Sequence, residues 1–111
     1  MSELDAINES IEHSKKAIKT AEAVNRLRSN PDFKAVIVEG YMRDYASELV
    51  MSKAEVHTQN DEAQKYIDRQ IIAIGAFPVY MNLLLTMGVT AQAALEAQEE
   101  ELTMMISEEG Y

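Results

Sequence analysis

Two histidines, nineteen carboxylates and no cysteine supply most of the side chains here that could hold a metal or move a proton. His13 is followed by Ser14-Lys15-Lys16, His57 stands between Val56 and Thr58, and no His-Glu-x-x-His or paired-cysteine spacing exists. Metal centres need several donors converging on one point, so both histidines read as surface residues. General acid–base work needs two groups whose surroundings push their pKa values apart. Runs such as Glu99-Glu100-Glu101 are instead expected to be solvated together. No Gly-x-Gly-x-x-Gly, phosphate loop or nucleophile elbow is present. The expectation is a chain with no catalytic residue, no cofactor and no metal, which is not an enzyme and acts by association.

Charge narrows the partner. Ten basic residues stand against nineteen acidic ones, a net charge of -9. Duplex binding needs cations that displace condensed counterions, so no direct contact with nucleic acid is expected. A basic protein surface suits the chain better, and Glu96, Glu99, Glu100 and Glu101 are the candidate acidic contact surface. The absence of cysteine fits a reducing compartment, and Met-Ser-Glu-Leu-Asp lacks the basic-then-apolar pattern of a secretion signal. A cytoplasmic protein is expected. At 111 residues the chain forms a single domain at most. So small a chain buries a sizeable core only by packing helices on each other or on a second copy, which makes a homo-oligomer the default.

The elements that would carry these surfaces are helices. Leu4, Ile7, Ile11, Ile18 and Ala21 sit at heptad-like spacing, continued by Val24 and Leu27, so residues 3–28 read as an amphipathic helix. Its acids, Glu3, Asp5, Glu9 and Glu12, precede its bases, Lys15, Lys16, Lys19, Arg26 and Arg28, the order the helix dipole favours. Asn30-Pro31-Asp32 then offers a cap, a first-turn proline and an acid for the start of a second helix over 31–52. Phe33, Val36, Ile37, Gly40, Tyr41, Ala46, Leu49 and Val50 form its expected apolar face. Gly40, in the middle of that face, suggests close approach by another backbone or a bulky side chain. Residues 53–60 read as a polar connection ending in the cap signal of Asn60.

The third helix, 61–108, dominates. From Gln70 to Leu95 it runs twenty-six residues without a charge. Ile67, Ile74, Phe77, Met81, Leu84, Ala91, Leu95, Leu102 and Met105 hold one alternating three-and-four frame, with Gln70, Gly88 and Gln98 as exceptions. Ile67, Ile74, Phe77, Met81, Leu84, Leu95, Leu102 and Met105 are therefore the candidate self-association interface. Pro78 removes a helical hydrogen bond and suggests a kink, while Gly88 followed by Thr90 suggests a stop and a fresh cap. The frame survives both, which favours one rod of roughly 70 Å at the helical rise per residue. Acids without a base crowd the segment 91–111, including Glu108 and Glu109. It is expected to lie against basic Lys15–Arg28 of the same or a neighbouring chain. The methionines and tyrosines read as core or subunit packing.

A membrane span is the competing reading of residues 70–95, since the stretch is long enough to cross a hydrocarbon core. Against it, the apolar frame continues in phase beyond the charge-free stretch, two further amphipathic helices need a surface to pack on, and no tryptophan marks an interface. A soluble protein is preferred.

The run Ser29-Asn30-Pro31-Asp32-Phe33-Lys34-Ala35-Val36-Ile37-Val38-Glu39-Gly40-Tyr41, with Asp61 to Phe77, resembles a family of small helical proteins encoded by tailed bacteriophages. The resemblance covers about two thirds of the chain, and Pro78 and the loss of charge after Phe77 depart from it. It implies a phage protein from among the virion or capsid-assembly genes, located in the host cytoplasm or the virion, with other phage structural proteins as partners. It carries over no catalytic residue. The combined expectation is an all-α, self-associating, scaffold-like or accessory assembly protein of three main helices. The alternatives are an acidic regulator seated in a basic groove of a host protein, and a holin-like protein spanning the membrane through residues 70–95.

Overall fold

In a computed structural model that describes residues 2–108, the chain is all-α, with no strand among the described residues. Helix α1 covers Glu3–Ser29. A second helical run, residues 31–53, consists of the turn α2 (Pro31–Phe33), a π-helical segment Lys34–Tyr45 and α3 (Ala46–Lys53). After a 3-10 turn at Val56–Thr58, helix α4 runs Asp61–Glu108. The three helices expected from periodicity are therefore present, with ends within a residue of those expected. Glu109 lies outside the described residues.

Capping explains the starts. Asn30 accepts from the backbone N–H groups of Asp32 (2.9 Å) and Phe33 (3.0 Å), and Pro31 fills a first-turn position where no N–H is needed. Asn60 does the same for α4, accepting from the N–H of Ala63 at 2.9 Å. The connection is more than a linker. The hydroxyl of Thr58 donates to the carbonyl of Ser52 (2.6 Å), and the amides of Gln59 and Gln64 both donate to that of Lys53 (2.6 and 3.1 Å). Carbonyls left over at the end of α3 are thus satisfied by side chains from the turn and from α4.

The chain divides into two compact units, one formed by the chain up to Asn25 with the chain from Leu83 onward, the other by Arg26–Asn82. Helix α4 contributes residues to each unit. Pro78 lies inside α4 and Gly88 does not end it, so α4 is the one long helix that the unbroken frame favoured. The reason at Gly88 is packing. A Cβ built there would stand 2.3 Å from the Cβ of Ala21, so only glycine lets α1 come this near. Gly40, which the sequence suggested for that role, would meet only the carbonyl oxygen of Ala35 in its own helix, at 3.3 Å.

In the unit of residues 26–82, Leu49, Ile67 and Ile74 are buried together, with Tyr41, Met42, Tyr45, Ala46 and Ile71 packed around them. The rings of Phe33 and Phe77 lie 6.3 Å apart, and those of Tyr41 and Tyr45 stack at 6.1 Å. Phe33, Ile37, Tyr41, Tyr45 and Leu49 form one inward row, a spacing of four throughout, with Met42 and Ala46 beside it. An α-helix of 3.6 residues per turn lets such a row drift around its axis. The wider i→i+5 turn of the π-helical segment counters that drift and keeps the row facing α4. Val36 and Val50, which a 3.6 period placed on this face, are exposed.

In the unit containing the chain up to Asn25, Ile7, Ile11, Ser14 and Val24 of α1 are buried, as are Gly88 and Ala91 of α4. Ser14 donates to the side-chain carbonyl of Gln98 at 2.9 Å. Ala21 meets Gly88. Moving forward along α1 therefore moves back along α4, and the two helices are antiparallel. No buried side-chain polar atom among the described residues lacks a partner.

Candidate functional site

The residues that could act on another molecule are sorted by the two sides of α4. Its inner frame is taken up by the chain itself. Ile67 and Ile74 are buried, and Phe77, Met81, Leu84, Leu95, Leu102 and Met105 are half-buried on the same side. Gln70, Gly88 and Gln98, the exceptions in that frame, also face inward, and Gln98 is explained by its bond to Ser14. A polar pair at matched core positions fixes the register of two helices, because a shift would strand both groups.

The outer side of α4 is where sequence reasoning fell short. Ile72 is 70% exposed, Val79 68%, Leu83 53% and Val89 74%. Tyr80 is exposed beside them. The charge-free stretch is thus apolar on both sides, and its outer side has no cover among the described residues. Lone exposed apolar residues are ordinary, whereas a run of them along one helix marks a contact surface. The signal was present in the sequence as missing charge rather than as periodicity. α4 is also long and apolar enough to cross a membrane by composition.

The four glutamates of the candidate acidic contact surface, Glu96, Glu99, Glu100 and Glu101, are all exposed on α4, around the level of Ser14 and Gln98 and beyond it. The antiparallel register places beside them the acidic start of α1, with Glu3, Asp5, Glu9 and Glu12, rather than its basic part. Among the described residues no ion pair joins Lys15, Lys16 or Lys19 to any of these glutamates. Of the two pairings expected for the tail, with Lys15–Arg28 of its own or of a neighbouring chain, the first is not made among the described residues, because the helices run in opposite directions and both carry acid at this end.

Between α1 and α4 in this unit lies an open groove of about 780 Å³. Its lining is small and mostly apolar, with Ala6, Ser10 and Ala17 from α1 facing Thr90 and Ala94 from α4. His13 is on its rim and exposed. His57 is also exposed and sits 3.1 Å from a carboxylate oxygen of Glu55. The side chain of Arg43 hydrogen-bonds Asp44 at 3.0 Å, and that bond, with the neighbouring charge, raises the Arg43 pKa further. Lys53 pairs with Asp68 across the turn. Among the described residues no three histidine or carboxylate side chains converge as metal ligands would. No protein-family model matches the chain, and no curated protein or solved structure matches it.

Proposed function

We propose that this chain is a non-enzymatic association protein in which α4 is two-sided: its inner side folds the chain and its outer side binds another protein. The observation that carries this reading is the exposed run Ile72, Val79, Leu83 and Val89 on a stretch with no charge. Surfaces of this kind gain about 25 cal/mol for each Å² of apolar area removed from water. The partner class we assign is first the chain itself and then other structural proteins. On the resemblance of Ser29–Tyr41 and Asp61–Phe77, the setting is a bacteriophage virion or capsid assembly, in a scaffold-like or accessory role. Light scattering on the purified chain should give mass that rises with concentration, and Val79→Asp with Leu83→Asp should return it to the monomer. A wild-type chain that stays monomeric at high micromolar concentration sinks the self-association. Mass spectrometry of purified phage particles tests the setting.

Two other readings each have one observation in favour. The acids of α1 and α4 gathered at one end would suit a basic groove on a host protein; capture of one stoichiometric host enzyme, rather than capsid or portal proteins, would support it. The apolar outer side of α4 would suit a membrane. That reading must also keep α1, with its exposed Lys19, packed beside the end of the span, or detach α1. Carbonate-resistant pelleting with membranes would favour it.

A further inference from the structure

We infer that the outer side of α4 is covered by the outer side of α4 from a second copy, laid antiparallel about a two-fold axis between Asn82 and Leu83. This pairing rests on the self-association proposed above, and it adds a direction and a register.

Every seventh residue from Lys65 to Glu100 falls on one column of α4, formed by Lys65, Ile72, Val79, Thr86, Ala93 and Glu100. All six are exposed. In each unit the column lies on the side of α4 away from its buried residues, Ile67 and Ile74 in one and Gly88 and Ala91 in the other. Its middle is uncharged, and its ends differ in sign: Lys65 has Arg69 near it at the start, and Glu100 has Glu96 near it at the end. Among the described residues none of these four has an ion-pair partner in its own chain. Asp68, beside the basic end, is already held by Lys53.

These charges choose how two copies meet. Parallel copies in register would set Lys65 on Lys65 and Glu100 on Glu100, which repel. An antiparallel pair centred on the charge-free residues 70–95 sets Lys65 of each copy against Glu100 of the other and brings Arg69 level with Glu96, with no acid of α4 level with another acid. One patch then serves both copies, as an isologous interface requires. Size agrees with charge: Ile72 meets Ala93 and Val79 meets Thr86, a larger side chain on a smaller one in each layer. Sliding by one heptad fails in both directions. One slide puts the Glu100 carboxylate on Ile72, and the other brings Glu96 level with Glu62.

The full-length chain has no cysteine, so introduced cysteines report the pairing cleanly. Under mild oxidation Ile72→Cys mixed with Ala93→Cys should give a mixed disulfide dimer, identified by mass spectrometry. Each variant alone should give little, because its two copies of the residue lie about 30 Å apart along the helices. Leu83→Cys, next to the axis, should link to itself. Lys65→Glu with Arg69→Glu in one variant, and Glu96→Lys with Glu100→Lys in another, should each weaken association by about tenfold or more, and their mixture should recover the wild-type affinity. Circular dichroism checks that every variant keeps its helix content. Self-linking of Ile72→Cys, charge variants that associate like wild type, or a mixture that fails to recover overturns the inference. If Leu83→Asp still dissociates that oligomer, association through the outer side of α4 stands and only the antiparallel pairing falls. A wild type that stays monomeric at high micromolar concentration overturns both.

Discussion

The two units of this molecule hold α4 by opposite means. Between Arg26 and Asn82 the contact is made by large side chains, with Leu49, Ile67 and Ile74 buried under Tyr41, Tyr45 and Ile71, and with Phe33 against Phe77. Where α1 meets the later part of α4, Ile7, Ile11 and Val24 are buried too, but the closest approach is made by small residues, Ala21 on Gly88, and the register by the Ser14–Gln98 bond. Large side chains stabilise through the area they remove from water. Small ones let the backbones come near and gain dispersion and register instead. The first mode tolerates a methyl more or less, at a graded cost. The second does not.

Four substitutions sharpen that contrast. Ile74→Ala should have the largest effect, a loss of about 2–5 kcal/mol from a cavity among Leu49 and Ile67, read as a lower midpoint in urea. Gly88→Ala should lose about 1–3 kcal/mol, because its methyl would fall on the rigid methyl of Ala21 and the helices must part. If Gly88→Ala is neutral, the close approach is not what holds α1. Pro78→Ala should gain about 1–3 kcal/mol by restoring one helical hydrogen bond inside a continuous α4. Unchanged or lower thermal stability there would mean that α4 ends at Pro78. Gly75→Ala is the control for Gly88, on the same helix with nothing within 4 Å of the added methyl. It should gain about 0.5–1 kcal/mol from helix propensity alone.

The inner frame of α4 was legible residue by residue, because a heptad phase held from Ile67 to Met105 survives one proline and one glycine. The caps at Asn30 and Asn60 were legible too, since each needs only its own neighbours. Gly40 and Gly88 were not distinguishable. A mid-helix glycine says that a side chain is missing, and what uses the gap is decided by a residue some seventy positions away, Ala21 for Gly88. The direction of pairing was equally invisible, and with it the fate of the acidic tail: periodicity fixes which side of a helix is buried, not which end of α1 lies beside Glu96–Glu101. The π-helical turn left only the four-residue spacing of Phe33, Ile37, Tyr41, Tyr45 and Leu49. For the site, composition located the charge-free stretch, but only the packed structure divides it into a side that is used and a side that is free.

The bond between Ser14 and Gln98 spans 84 positions of sequence. Contacts so distant must close a long loop before they return any stabilisation, which slows their formation relative to local ones. The pairing of residues 31–53 with the start of α4 closes across a short turn instead. During synthesis, then, the aromatic-rich pairing can assemble while the partner of α1 is still unmade. Until Gln98 arrives, α1 is an amphipathic helix with its apolar stripe open, and the first helix of the chain is the last to be docked.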